Sequence, residues 1–261
     1  MNIIVCIKQV PDTTEVKIDP ETNTLVRDGV SAVMNPFDKY AVEEGVRLRE
    51  RYGGKVTALT MGPARAEEIL KEAISTGVDE GVLLSDRVFA GSDTWATSYI
   101  LAKAIESLGH FDVIICGKQA SDGDTAQVGP GISAHLDIPQ VTYVRKIRQK
   151  DGNRFTVERL VEEGFEVIEV NMPCLFTVVK EINEPRLPSL KGIMKAKKQE
   201  IKTLTNEDLG INPDLLGLKG SPTRVIKTFT PSLRSKRQMI KGEISEIVDK
   251  LIEVLKGNKS S

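Results

Sequence analysis

The sequence predicts an α/β protein: a doubly wound, mostly parallel sheet with an antiparallel hairpin addition and a C-terminal arm. Three observations predict it. Apolar runs rich in β-branched residues alternate with helix-periodic stretches from residue 2 to residue 116. Strand-like runs separated by turn residues follow Pro139, and beyond Lys180 Pro185, Pro188, Pro213, Pro222 and Pro231 are scattered through basic and polar sequence.

Asn2 to Lys8 (NIIVCIK) is the first strand, closed by the turn Val10-Pro11-Asp12. A polar segment with turn signals at Asp19-Pro20 and Asp28-Gly29 leads to Asn35-Pro36, a helix start. Tyr40, Val42, Val46 and Leu48 supply that helix's apolar face, and Gly53 ends it. Lys55 to Met61 is the second strand, stopping at Gly62-Pro63. Ala66 to Thr76 is helical through Ile69, Leu70, Ala73 and Ile74 and stops at Gly77, after which Gly81 to Ser85 is the third strand. Ser92 or Asp93 caps a helix running through Trp95, Tyr99, Ile100, Ala104 and Leu108, which Gly109 closes. Asp112 to Cys116 is the fourth strand. Such alternation implies right-handed crossovers with helices on both faces, so a ligand belongs beyond the carboxyl ends of the strands.

After Pro139 the pattern changes. Val141 to Arg148, Phe155 to Leu160 and Phe165 to Val170 read as antiparallel hairpins around Asp151-Gly152 and Glu162-Glu163-Gly164, and Pro173 to Val179 returns to a buried strand. The domain reading is therefore residues 1–190 as the α/β domain, with hairpins at 140–172, and residues 191–261 as an extended arm. The arm's end, Gly242 to Lys256, recovers a helical stripe of Ile244, Ile247, Val248, Leu251, Ile252 and Leu255, which another subunit is a good candidate to bury.

The composition, 40% hydrophobic and 28% charged over 261 residues, is that of a soluble globular protein. No run approaches the roughly 18 apolar residues of a membrane span, and the Met-Asn-Ile-Ile-Val start lacks the basic region of an export signal. Cys6, Cys116 and Cys174 are odd in number, far apart and set in apolar runs, which argues against a disulfide framework and favours a reducing, cytoplasmic setting. His110 and His135 belong to no metal-ligand motif, so no metal is expected. Charge is balanced only globally: Lys191 to Ser261 carries 15 Lys+Arg and 8 Asp+Glu, a net of +7, against −8 for the first 190 residues. A basic tail reads as a solvated surface or as docking onto an acidic partner or phosphates; the partner reading is preferred, without a nucleic-acid role.

The densest cluster of special residues follows the fourth strand: Gly117-Lys118-Gln119-Ala120-Ser121-Asp122-Gly123-Asp124-Thr125-Ala126-Gln127-Val128-Gly129-Pro130-Gly131, ahead of the helix-like Ile132 to Leu136. Free backbone N–H groups at such a helix entry suit a phosphate. A purely structural turn is an equal reading, since neither GxGxxG nor GxxxxGK[ST] is present in the loop. Supporting positions stand at the other strand ends: Cys6 and Lys8; Asn35, Pro36, Phe37 and Asp38; Met61 and Gly62; Asp93 and Thr94; and Cys116. Asparagine and aspartate there suit an adenine edge or ribose hydroxyls, and Thr94 and Thr125 suit phosphate oxygens. Plain N-capping explains Asp38 or Asp93 equally well. The sequence holds no GxSxG elbow, no HExxH and no Cys/His pair at useful spacing, so no catalytic residue is assigned.

These residues also carry a resemblance. VCIKQVPDT at 5–13, MNPFDKYAVEEGVRLRE at 34–50, TMGPA at 60–64, GKQASDGDTAQVGP at 117–130 and NEPRLPSLKGIMKAKK at 183–198 resemble the beta subunit of electron transfer flavoprotein along nearly the whole chain. The family's hairpin signature is similar through Val157, Arg159, Glu162, Gly164, Glu166, Ile168, Pro173 and Leu175, with Glu163 where glycine or aspartate is more usual. The resemblance implies a Rossmann-like, adenine-nucleotide-binding fold and a heterodimer with an alpha subunit that holds one FAD. By position, Cys6, Asn35 to Asp38, Met61 and Asp122 to Ser133 resemble the family's nucleotide-contacting segments. Leu190 matches the leucine of its recognition loop, which inserts into a partner dehydrogenase.

The family has two branches. In one the beta subunit holds AMP and the protein shuttles electrons from acyl-CoA dehydrogenases. In the other it holds a second FAD, oxidises NADH and bifurcates electrons to ferredoxin or flavodoxin and to the alpha-subunit flavin. The Val10-Pro11-Asp12-Thr13 turn and SDGDTAQVGP resemble the bifurcating branch, and Gly123, Thr125 and Ala126 keep the loop small enough for a diphosphate and a flavin ring. FAD is therefore the expected cofactor and AMP the alternative. A stand-alone nucleotide-binding module and a purely structural subunit are the readings from other classes.

Overall fold

The computed structural model describes residues 1–12, 17–18, 25–26, 32–224, 226 and 239–257. Strands form where apolar residues run without a break, because both faces are covered and no polar alternation is needed. In chain order they are β1 (Asn2–Cys6), β2 (Gln9–Pro11), β3 (Lys17–Ile18), β4 (Leu25–Val26), β5 (Ala32–Met34), β6 (Lys55–Met61), β7 (Glu80–Leu84), β8 (Val113–Gly117), β9 (Gln140–Asp151), β10 (Arg154–Val161), β11 (Gly164–Asn171), β12 (Cys174–Val178) and β13 (Lys202–Leu204). The helices are α1 (Pro36–Tyr52), α2 (Glu67–Ser75), α3 (Thr94–Leu108), α4 (Val128–Leu136), α5 (Leu190–Lys198), α6 (Asn206–Leu209), α7 (Gly217–Gly220) and α8 (Ile244–Gly257).

Nine of these strands form one sheet in the order β11-β10-β9-β12-β8-β1-β6-β7-β13. The run from β9 to β13 is parallel, and β10 and β11 add antiparallel hairpins to its edge, as the turn residues predict. Successive crossovers carry the chain from β1 to β6 and β7 on one side, then back to β8 on the other. The order reverses between β1 and β8, and at such a point the loops diverge and leave a crevice.

Side-chain alternation along the strands divides the core in two. Ile3, Val5, Val113 and Ile115 join Val46, Ile69, Leu70 and Ile74 under α1 and α2. Ile4, Cys6, Ile114 and Cys116 join Ile100, Leu101, Ile105 and Ile132 under α3 and α4. Helix ends follow the expected chemistry. Pro36 opens α1 behind Asn35, and Gly53 and Gly109 close α1 and α3 with positive φ. Of the two candidate caps of α3, Asp93 is the one used; its carboxylate accepts from Trp95 N at 3.0 Å and Ala96 N at 3.1 Å.

Two expectations are corrected. The helix after the glycine loop starts at Val128, not at Ile132, so Gly129, Pro130 and Gly131 are helical. Close packing overrides their weak propensity: a Cβ at Gly129 would stand 2.7 Å from Thr177 Cγ2, and one at Gly131 would stand 2.5 Å from Ser98 Oγ. The expected break after residue 190 falls instead between Arg224 and Val225, which separates two compact units, Met1–Arg224 and Val225–Ser261. Residues 191–224 are built into the first unit because their few apolar residues are placed to be buried. β13 pairs with β7, α5 packs on α2, and Leu204, Ile211 and Leu216 enter the core. In the second unit α8 carries the predicted apolar stripe, with Ile244, Val248, Leu251, Ile252 and Leu255 exposed. Among the described residues no helix is long and apolar enough to cross a membrane.

Candidate functional site

A crevice of about 390 Å³ opens beyond the carboxyl ends of β1 and β8, where the strand order reverses. Of the sequence-predicted residues, Cys6, Lys8, Asn35, Asp38, Met61, Asp93, Thr94, Cys116 and Gly117 line it, as do Gly123 and the run from Thr125 to Gly129. Ligand pockets of this size at the switch point of a parallel sheet are the default binding sites of the architecture.

The polar groups in the walls have defined tasks. Asn35 sits at the N-cap of α1 and is 1% exposed, yet makes no capping bond. Its amide instead ties the first turn of α1 to the glycine loop. Nδ2 donates to Asp38 Oδ1 at 2.8 Å and to the Gln119 carbonyl at 2.9 Å, and Oδ1 accepts from Ser121 N at 3.1 Å. Asn35 thus holds the glycine loop against α1 and has both amide hydrogens engaged.

Asp38 lies in the first turn of α1, buried, where it accepts from Lys8 N at 2.7 Å. Burial pushes its carboxyl up to about 7, against the opposing pull of the bonds from Asn35, Lys8 and Gly117 and of the Lys8 charge. Gly117 leaves room for this carboxyl, since a Cβ there would stand 2.3 Å from Asp38 Oδ1. Asp93 is similarly engaged: besides capping α3 it accepts from Thr223 N at 2.9 Å and Thr223 Oγ1 at 2.7 Å. Burial raises its carboxyl pKa, but those bonds outweigh burial and hold it below the usual range.

The loop itself is fixed at both ends. Lys8 Nζ reaches Asp122 at 2.7 Å, Asp124 N donates to the Ala120 carbonyl at 2.9 Å, and Gln119 donates to the Asp124 carboxylate. Asp124 and Ala126 have φ of 52° and 54°, in the left-handed region that non-glycine residues rarely adopt. Such held strain collects at binding sites, where a fixed backbone spares the ordering cost of binding. Thr94 Oγ1 donates to Gln127 Oε1 at 2.8 Å and joins the starts of α3 and α4.

Six predicted residues stand behind the wall instead of lining it. Pro36 and Phe37 form the first turn of α1, and the Gly62 N–H bonds the Leu84 carbonyl at 3.0 Å. Asp122 and Asp124 are turned to Lys8 and Gln119, and Pro130 lies within α4. In their place the crevice takes Phe89, Thr97 and Leu101, which sequence order alone does not bring to the strand ends, together with Lys118 of the loop itself. The Lys118 ammonium stands 5.7 Å from the Phe37 ring centroid and 5.2 Å from that of Tyr143, itself at φ 58°. His135 lies among the rings of Trp95 and Tyr99, at 4.7 and 5.3 Å.

The donor set fits a phosphate. Gln127, at the N-cap of α4, makes no side-chain capping bond, and Val128 and Gly129 line the crevice at this dipole end, where a helix leaves its first amides without intrahelical acceptors. Gly123 has open space where a Cβ would be. The arrangement is suited to holding and orienting a nucleotide through backbone donors and Lys118.

Residues 22–209 match the family described as "Electron transfer flavoprotein domain". The chain is 55% identical to the electron transfer flavoprotein subunit beta of Thermoanaerobacterium thermosaccharolyticum, covering 98% of each. It is 47% identical to the caffeyl-CoA reductase-Etf complex subunit CarD of Acetobacterium woodii, again over 98% of each. It is also 46% identical to the acryloyl-CoA reductase electron transfer subunit gamma of Anaerotignum propionicum, over 97% of this chain and 98% of that one.

Proposed function

The chain belongs to the electron transfer flavoprotein family, as a beta subunit, and from that premise we propose that its crevice holds a second FAD which takes hydride from NADH. Electrons then divide between a ferredoxin or flavodoxin and the alpha-subunit FAD, which serves a partner dehydrogenase in the cytoplasm. The observation that carries the reading is the loop from Gly117 to Val128. It is pinned by Asn35 and Lys8, strained at Asp124 and Ala126, and open at Gly123, which supports a ligand that extends past the α4 N-terminus.

FAD supplies the two-electron chemistry when bound; the chain's residues bind and orient it. The amides of Val128 and Gly129 with Lys118 hold phosphate oxygens, and Thr125 and Thr94 line the same wall. Leu190, 83% exposed at the first position of α5 behind the Ser189 cap, is the anchor offered to the dehydrogenase. The basic C-terminal unit with α8 docks on the alpha subunit. Two of the relatives named above are subunits of caffeyl-CoA and acryloyl-CoA reductase systems, which supports an acyl-CoA class of partner.

The test is the FAD and AMP content of the heterodimer after release by denaturation. Two FAD and no AMP are expected, with NADH-dependent reduction of ferredoxin. One FAD with one AMP would overturn the bifurcating reading and leave an electron shuttle serving acyl-CoA dehydrogenases.

A further inference from the structure

We propose that Cys6 and Cys116 form a dithiol on the crevice floor that binds trivalent arsenicals by bridging the two sulfurs. The two residues are register partners on the adjacent parallel strands β1 and β8, at the point where strand order reverses. Partners in register point to the same face, and both cysteines belong to the core under α3 and α4. Both are free thiols, and both line the crevice. The neighbouring Cys6 thiol, with burial and the nearby charge of Asp38, pushes the Cys116 thiol's pKa well up. The Cys116 thiol therefore stays protonated and reacts slowly with reagents that need a thiolate.

Strand spacing selects the bridge. Neighbouring strands lie about 4.8 Å apart, which holds paired Cβ atoms farther apart than the roughly 3.5–4.5 Å a disulfide requires. One atom inserted between the sulfurs spans that gap without moving the strands. An arylarsine oxide does so in a balanced condensation: two As–S bonds form, the As=O bond breaks, and both thiol protons leave on the oxygen as water. No oxidation state changes. The aryl group then projects into the crevice, so bridging and nucleotide binding exclude one another; this last clause alone rests on the function proposed above.

The experiment uses the nucleotide-stripped heterodimer and phenylarsine oxide, read by intact mass of the separated beta chain and by thiol titration after unfolding. One arsenic per chain is expected, with loss of two of the three thiols and release by 2,3-dimercaptopropanol. Cys174, buried at the amino end of the neighbouring strand β12 and paired with Val113 instead of Cys116, is the control, and C174A keeps the adduct. C6A and C116A each weaken capture about a hundredfold, the loss expected when two-point binding becomes one-point. Undiminished capture in either variant, or none in the wild type, overturns the proposal. If a variant fails to fold, peptide mapping of the wild-type adduct decides instead, since the peptides of Cys6 and Cys116 must be joined through one arsenic. Saturating FAD or AMP slows capture if the crevice is the nucleotide site. A bridge that forms at an unchanged rate supports the dithiol and counts against the nucleotide reading, so the two failures are distinguishable.

Discussion

Replacing Gly117 by alanine tests the closest approach in the site. Gly117 ends β8 without a left-handed φ, so the cost of Gly117→Ala comes from space alone. The new Cβ would stand 2.3 Å from Asp38 Oδ1, 2.8 Å from the Phe37 carbonyl carbon and 2.9 Å from Asp38 N. Two of those atoms are backbone in the first turn of α1 and cannot rotate aside. Overpacking of this kind costs about 1–3 kcal/mol. Driving the Asp38 carboxyl off the Lys8 and Asn35 donors adds about 1–3 kcal/mol for buried groups left unpaired. Less backbone freedom in the unfolded chain returns about 0.4–1 kcal/mol. The net is a loss of about 3 kcal/mol, or roughly 6–12 °C in Tm for a unit of this size. Urea titration and calorimetry of the purified protein read it. Gly123→Ala is the control, since nothing lies within 4 Å of its Cβ, and it stays within about 0.5 kcal/mol of wild type. A Gly117→Ala variant as stable as the control would refute the reasoning.

Other outcomes follow from the same geometry. The folded-state pKa of Asp38 is raised from the ordinary 3.8 to about 7, so its contribution to stability is complete below pH ~4 and is lost as pH rises through ~7. Asp38→Asn flattens the stability-against-pH curve across that window; an unchanged slope, followed by denaturation at fixed temperature, removes Asp38 as its source. Arg186 donates to Glu43 at 2.8 Å and to Glu50 at 2.6 Å, fixing residues 183–189 against α1. Because Glu43 is 3% exposed, Arg186→Met costs about 1–3 kcal/mol and speeds hydrogen exchange at the backbone amides of position 186 and Ile193. Leu190→Ala leaves stability within about 0.5 kcal/mol but weakens dehydrogenase docking by about tenfold or more, measured by calorimetric titration.

Much of the fold was legible because the strands needed no partner information to be recognised. β1, β8 and β12 are runs of apolar residues buried on both faces, and the hairpins announce themselves at Asp151-Gly152 and Glu162-Glu163. The same logic located the crevice, since strand ends converge in any doubly wound sheet. Where tertiary contacts decide, the sequence is silent. The start of α4 carries two glycines and a proline, and only their seating on Thr177 and Ser98 makes them helical. β13 is three residues long, too short for periodicity to register, and the prolines around it mimic an arm. The sequence places Asn35 at the site, but only distances show that its amide also ties the glycine loop to α1. Phe89 and Leu101 escaped notice as ordinary core residues, and the positive φ of Asp124 and Ala126 belongs to a loop whose glycines draw attention away from them.

The two margins of the sheet have unequal fates. β13 offers only three residues, whereas β11 runs for eight, with Phe165 and Val167 about half exposed and, among the described residues, no strand beyond it. A long border of unanswered main-chain donors and acceptors is a template on which any extended peptide can add a strand. Glu166 and Glu169, matched to Arg159 and Arg154 on the neighbouring strand, place charge along it and discourage self-stacking. A newly made chain therefore has this border open to its own copies, and the charges set along it are its guard against stacking.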